Sequence, residues 1–396
     1  MVSPRRAVDR RRFLQLGAAT TGFAVSAGRG VEAGPAGRPS GAMRYRPLGR
    51  TGLRVSEIAF GAHQVDNPPL MQAALDAGIN TFCTAGSYLD GREEESIGKV
   101  IRAIGPRRRD GLVLVTGESI RPGTTRQRIL ALIETSLRRL GTDHIDVYYA
   151  SEACSPADVR VDALFEAFEE AHRAGKVSHL GVSGHCGGMQ ACLQAAIDDD
   201  RFRMLFTKYD FVSYPEVGQI LRRAAERGIG TMVFKTDAGG RQKEIRDLEK
   251  DGLSFRQATL KWALANPDVS SVAVTITSFD QIRECAGAVG SRLTEAESEM
   301  LDRYAREMHD KYCRFCRSCE EGCPRGAAVA EVMRYAMYFS GYGREKEAMR
   351  LYAALPRERT AAACAGCAGP CEGRCPFGRA IRAGMVAAHR QLSLVG

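Results

Sequence analysis

Between Met43 and about residue 300 the chain repeats one unit eight times: a short apolar run, then a stretch with helical periodicity. The runs are EIAFGA, NTFCTA, LVLVTG, IDVYYA, SHLGVSG, MLFTKYD, GTMVFKT and SSVAVTI. Between two of them, TTRQRILALIETSLRRLG puts Ile129, Leu132, Ile133, Leu137 and Leu140 on one helical face. VDALFEAFEEAHRAGK stops at Gly175 and Lys176, as a helix should. Eight strand–helix units over about 250 residues predict an α/β fold, a (β/α)8 TIM barrel. A doubly wound sheet would need fewer units and a phosphate-binding glycine fingerprint after its first strand, and the sequence has none.

The full length of 396 residues exceeds one average domain, so a second is expected. Although the net charge is +9, the basic residues are scattered, with short runs only at Arg10–Arg12 and Arg107–Arg109. Nothing forms a basic stripe interleaved with aromatics, which argues against nucleic acid as a partner. DRRRFLQLGAATTGFAVSAG has a basic start, an apolar run from Phe13 to Ala27 and small residues after it. That order is a signal peptide's, and Arg10, Arg11, Phe13 and Leu14 resemble a twin-arginine signal, which exports folded proteins. The expected organisation is a signal over 1–34, a linker over 35–42, the barrel over 43–308 and a second domain over 309–396, with a periplasmic destination. No other segment is long and apolar enough to span a membrane.

Here the residues meet a family. MRYRPLGRTGLRVSEIAFGA, AGINTFCTAGSYLDGREEESIGKVI, LGTDHIDVYYA, AGKVSHLGVSGH and ATLKWALANPDVSSVAV resemble the aldo-keto reductases, in order and at the family's spacing. The resemblance implies NADPH-dependent carbonyl reduction, with a tyrosine as proton donor assisted by an aspartate, a lysine and a histidine. Against the family's pattern F-D-T-A-x-x-Y, this chain has Phe82, Cys83, Thr84, Ala85 and Tyr88. The lysine falls on Gly117 and the histidine on Ser151, so Tyr88 alone survives. Without a nearby cation a tyrosine keeps a pKa near ~10, unless Lys235 or Lys208 reaches in from another strand. Cofactor contacts are eroded too: Gly184, Phe206, Thr275 and Cys285 stand where the family has other residues. Ser183, Lys235 and Ser278 remain as candidate contacts, and the resemblance leaves ordinary NADP use disfavoured.

Thirteen cysteines are the other unusual feature, and eight lie between Cys313 and Cys375. CRFCRSCEEGCP is C-x2-C-x2-C-x3-C-P, the bacterial ferredoxin run, and CAGCAGPCEGRCP repeats it with one extra residue. Because the fourth cysteine of such a run serves the other cluster, the expected ligand sets of two 4Fe–4S clusters are interleaved. One is Cys313, Cys316, Cys319 and Cys375; the other is Cys364, Cys367, Cys371 and Cys323. Structural zinc is the main alternative and disulfides a weaker one. The intervening AAVAEVMRYAMYFSGYGREKEAMRLYAAL reads as helix, giving a mainly helical ferredoxin-like module that implies a redox partner.

A barrel places its chemistry at the C-terminal ends of its strands. There the sequence puts Cys83, Glu118, Glu152, Cys154, His185 and Cys186. These could be small buried thiols packed as apolar residues, or a new redox or metal site in which Cys83, beside Tyr88, acts with Cys154, His185 and Cys186. Two functions follow: an iron–sulfur oxidoreductase acting on a small molecule at the barrel mouth, or a non-enzymatic electron carrier on a retired barrel. On the export reading, replacing Arg10 and Arg11 by lysine should hold the precursor in the cytoplasm. Fractionation that finds the variant exported as well as the parent would defeat it.

Overall fold

A computed structural model describes residues 42–212, 215–240, 242–249 and 252–393; the expected signal lies outside the described residues. Eight parallel strands close into a barrel in sequence order: β3 (Ile58–Gly61), β4 (Thr81–Cys83), β5 (Val113–Ser119), β6 (Ile145–Ser151), β7 (Val177–Gly184), β8 (Phe202–Lys208), β9 (Gly230–Phe234) and β10 (Ser271–Thr275), which pairs back to β3. All eight runs read from the sequence are these strands. An antiparallel pair, β1 (Tyr45–Pro47) and β2 (Arg54–Ser56), precedes them.

The helices form where their caps and faces direct them. On the barrel's outside lie α1 (Pro68–Asp76), α2 (Arg92–Arg109), α3 (Arg126–Leu140), α4 (Asp162–Arg173), α5 (Met189–Asp198), α6 (Pro215–Glu226), α7 (Gln242–Leu248), α8 (Phe255–Leu264), α9 (Phe279–Ala288) and α10 (Glu295–Glu307). In α3 the Thr125 hydroxyl accepts from the Arg128 N–H at 3.2 Å and Gly141 ends the helix in the left-handed region. Ile129, Ile133, Leu137 and Leu140 of that helix are buried, while Leu132 is only half-buried. The barrel interior is apolar: Val113, Val115, Val147, Tyr149, Met204, Phe206 and Met232 pack there with Cys83.

Beyond α10 come α11 (Val329–Ser340), α12 (Glu345–Ala353) and α13 (Ile381–Leu392). The stretch read as continuous helix is therefore two helices, broken at Gly341–Gly343. Gly341 marks where they dock, because a Cβ there would lie 2.3 Å from the Gly239 carbonyl oxygen in the loop after β9. Residue 308 is no boundary in packing. One core runs from Ala238, Ile245, Phe255, Leu301 and Tyr304 into Met333, Tyr338, Tyr352 and Met385.

Phe255 is 2% exposed and its ring lies 4.7 Å from that of Tyr304 in this shared core. Phe255→Ala should therefore cost about 3–5 kcal/mol. The measurement is urea denaturation followed by fluorescence of the single tryptophan, Trp262, which sits beside Phe211 in the same core.

Candidate functional site

Backbone strain locates the working face. Eight non-glycine residues of the described chain have φ in the left-handed region: Gln64, Leu89, Asp90, Glu152, Lys235, Ala238, Phe315 and Arg317. The first six lie in loops at the C-terminal ends of barrel strands, and the last two lie between cysteines of the first C-terminal run. Such strain persists only where surrounding structure enforces it, and it concentrates at sites.

The family's tetrad position is closed. A Cβ at Gly117 would meet the Tyr149 carbonyl oxygen at 1.9 Å, so the backbone leaves no room for a lysine. Tyr149 donates to the Thr84 carbonyl at 2.7 Å, across the end of the strand that carries Cys83. The rings of Tyr149 and Phe206 lie 5.8 Å apart, those of Phe206 and Phe234 4.6 Å, and those of Phe234 and His185 5.6 Å. This aromatic column fills the barrel's upper interior. Cys83 points into it, and burial raises its thiol pKa, the opposite of what a nucleophile needs.

Tyr88 keeps its place without help. Its ring meets His63 edge-on at 4.4 Å. Burial, then Glu152, Glu93 and Tyr338, raise its pKa, and only Arg344 opposes them. Neither lysine considered as a substitute serves it. Lys208 pairs with Asp210 at 3.1 Å and lies over the Tyr312 ring. Lys235 donates to the Tyr338 hydroxyl at 2.9 Å. Ser183 is buried at the end of β7, and Ser278 is exposed, with its hydroxyl accepting from the Gln281 N–H at 3.3 Å to cap α9. The residues that would activate a carbonyl toward a nicotinamide are therefore missing, and the chain offers no fit for that step.

The expected thiol site also needs correction. Cys154 and Cys186 form a disulfide with a Cα–Cα distance of 5.6 Å, tying the loop after β6 to the loop after β7. They are partners of each other, not of Cys83, whose thiol is free. Glu118 turns elsewhere, against Gly86 and into an outer pocket with Thr124 and Arg128. Of the proposed group, His185 alone joins a new cluster, and it does so with a residue outside the barrel.

That cluster forms where α11 and α12 cover the mouth. Arg334 of α11 approaches His185 Nδ1 at 3.2 Å, and Tyr338 of α11 accepts from Lys235. Arg344, at the start of α12, lies 3.5 Å from His63 Nε2, and Glu347 lies 3.7 Å from the same nitrogen. Tyr342 donates to Asp237 at 3.0 Å. His63, Tyr88, His185, Phe234 and Lys235 are ringed by protein, yet each keeps part of its surface open. They sit at the seam between the barrel mouth and these two helices. Burial, then Arg344 and Lys235, bring His63 down to about 3. Burial, then Arg334, Arg344 and Lys208, hold Lys235 well below the usual lysine range. Sequence reasoning missed Arg334, Tyr338 and Arg344; the available signal was an arginine set inside the apolar stretch VAEVMRYAMYF.

All eight C-terminal cysteines are free. Cys313, Cys316, Cys319 and Cys375 line one cavity with Phe315 and Arg379. The Phe315 N–H donates to Cys313 Sγ and the Gly369 N–H to Cys367 Sγ, each at 3.4 Å. The Cys364 thiol is raised by burial and then by its neighbours Cys323, Cys371 and Cys367. Among the described residues no three or more Cys, His, Asp or Glu side chains close to the spacing of a metal-ion site, so the thiols are neighbours without forming a tight quartet.

A sequence profile of the Aldo/keto reductase family matches residues 64–251. The uncharacterized oxidoreductase YrpG of Bacillus subtilis is 31% identical over 315 residues, which are 66% of this chain and 95% of that protein. The chain belongs to the aldo/keto reductase family. It is an oxidoreductase by that membership, and the family points to NADP(H). Versiconal hemiacetal acetate reductase of Aspergillus parasiticus is 24% identical over 334 residues, covering 66% of this chain and 96% of that one. Among solved structures, the aldo-keto reductase AKR11C1 from Bacillus halodurans (holo form) superposes with a TM-score of 0.55 at 24% identity, over 66% of this chain and 96% of that chain. The family match ends well before Cys313.

Gly117→Lys should not restore the family's tetrad. Displacing the Tyr149 backbone should instead cost about 3 kcal/mol or more, measured by chemical denaturation. A stable variant with new aldehyde reductase activity would contradict the closed position.

Proposed function

We propose that the chain is an exported iron–sulfur oxidoreductase whose substrate site is the cleft between the barrel mouth and the C-terminal helices. Cys313, Cys316, Cys319 and Cys375 would hold one 4Fe–4S cluster, and Cys364, Cys367, Cys371 and Cys323 the other. Such clusters, when bound, pass electrons one at a time. The observation that carries the reading is that cleft and cysteine loops are built by one packed body. Arg317, between Cys316 and Cys319, lies against Gly187, directly after His185 and Cys186 at the mouth.

The chain's own residues supply the rest. Tyr338 and Lys235 share a hydrogen bond from which a proton can be held or passed. Arg334 orients His185, and the aromatic column beneath keeps water out of the barrel. Backbone N–H groups aimed at Cys313 and Cys367 suit thiolate sulfurs that carry charge. The interleaving supports clusters over zinc, because each run places its last cysteine beside the other run. The Cys154–Cys186 disulfide supports export, since such bonds persist in oxidising compartments. A small-molecule substrate and a one-electron redox partner complete the proposal.

Anaerobic purification should yield about eight iron and eight sulfide per chain. Cys375→Ser and Cys323→Ser should each remove roughly half of the iron. Zinc in place of iron, or no metal at all, would sink the reading. NADPH with common aldehydes should give little or no turnover. Family-like turnover abolished by Tyr88→Phe would instead favour conventional carbonyl reduction at the old site.

A further inference from the structure

Cys154 and Cys186 join two loops that other contacts also hold together. The Ala153 N–H donates to the Ser183 carbonyl at 2.8 Å, and a Cβ at Gly188 would lie 2.5 Å from the Cys154 carbonyl oxygen. Asp158 fixes the loop after β6, accepting from the N–H groups of Cys154 at 2.8 Å and Ser155 at 2.9 Å. The loops therefore have reason to stay in place when the sulfur–sulfur bond is open. The open state is also provided for at the sulfurs. Cys154 Sγ lies 3.0 Å from the Glu152 carbonyl oxygen, and Cys186 Sγ lies 3.4 Å from that of Ala153. A disulfide sulfur has no proton to donate and a thiol has one, so both acceptors fit reduced cysteines. Glu152 holds φ 54°, in the left-handed region, and Arg121 donates to its carbonyl at 3.1 Å.

The two sulfurs are not equivalent. Cys154 is half-buried beside exposed Glu152, while Cys186 is 5% exposed. Cys186 comes two residues before Gly188, the N-cap of α5, and the N–H groups of a helix start favour a thiolate. On the other side, the Asp158 carboxylate bonded to the Cys154 N–H disfavours charge on Cys154. Arg317 lies against Gly187 and Gly188, but Glu331 and Glu320 pair with it, so the asymmetry rests on the helix start and Asp158. We infer that Cys154–Cys186 is a redox-active thiol–disulfide exchange centre at the barrel mouth. Cys154 is the sulfur that a small thiol attacks, and Cys186 is the sulfur that leaves. The inference goes beyond the iron–sulfur reading and does not require it.

The chemistry balances with a small thiol as the only reductant. Its thiolate attacks Cys154 Sγ, the protein's S–S bond breaks, and Cys186 leaves with the electron pair. Cys186 takes up the proton that the attacking thiol gave up. A second molecule then attacks the mixed disulfide at the small molecule's own sulfur, and Cys154 leaves and is protonated in the same way. Two small thiols are oxidised to one disulfide, and the protein's disulfide is reduced to two thiols. The small disulfide drives the reverse steps, so an oxidising compartment keeps the pair closed at rest.

The test equilibrates the full chain, without oxygen, in buffers of reduced and oxidised glutathione at graded ratios. Samples are then quenched with an alkylating agent, and Cys154 and Cys186 are counted by peptide mass spectrometry, which separates them from the C-terminal cysteines. Structural disulfides of secreted proteins resist the glutathione pool. This pair should instead be about half open or more at the reducing end of the series, and should close again when oxidised glutathione is restored. Circular dichroism should not change across the series. Cys186→Ser should trap glutathione on Cys154, and Cys154→Ser should trap it on Cys186 about tenfold more slowly. The equilibrium needs no variant, so it carries the test should either one fail to fold. A pair that stays closed at the most reducing ratio, opening that occurs only with loss of the folded spectrum, or equal trapping at the two sulfurs would overturn the inference.

Discussion

The hydrogen bond from Lys235 to Tyr338 is the joint on which the mouth of this barrel depends. It fixes the one cation that a β9 residue brings to the strand ends, and it draws α11 across them. Lys235 holds a left-handed backbone angle, φ 57°, to reach that partner. Once α11 is seated, Gly341 can meet Gly239 backbone to backbone, and Arg334 and Arg344 come to rest on the two histidines. A barrel strand and a helix more than a hundred residues later in the chain are thereby committed to one geometry.

Such a joint is expensive. Desolvating a lysine and two guanidiniums costs several kcal/mol per ion, and Glu152, Glu331 and Glu347 lie near enough to offset part of it. An apolar seam would hold the helices with less penalty, as the adjoining core of Phe255, Tyr304 and Met333 does. Burial and then mutual repulsion lower three of these groups, with Lys235 lowering His63 and His185 and Arg334 lowering Lys235. Arg334, though lowered by burial, is raised on balance by Tyr338, Tyr335, Glu152 and Glu331. Charged groups arranged against stability mark a site more often than a strut.

How much of this was legible depended on the range of the signal. Strand runs and helical faces are local patterns, so all eight barrel strands could be read directly. The expected interleaving of the cysteines rests on the spacing within each run, which is local, and on the exchange of the fourth ligand, which is a property of the motif. The disulfide was not, because Cys154 and Cys186 sit in separate loops and no spacing rule says that two loops fold toward each other. The cleft was harder still. Arg334 and Tyr338 lie in a helix that reads as a spacer between cysteine runs, and only tertiary packing turns their side chains toward His185 and Lys235. The charge buried in an apolar helix was the one local hint, and its partners lie about 100 to 150 residues earlier in the chain.

The tetrad's loss and the module's gain are two sides of one change. With Gly117 pressed on the Tyr149 carbonyl and Phe206 and Phe234 packed edge to face above, the barrel interior can admit nothing from below the strand ends. Any reacting molecule must therefore sit above that aromatic floor, where the remaining walls come from α11 and α12. Those helices belong to the same packed core as the cysteine loops. A Tyr–Lys pair is still present at this level, but the tyrosine is now Tyr338 of α11 and the lysine Lys235, so one of its two members comes from the C-terminal side. The barrel supplies one side of the mouth, and α11 and α12 supply the other.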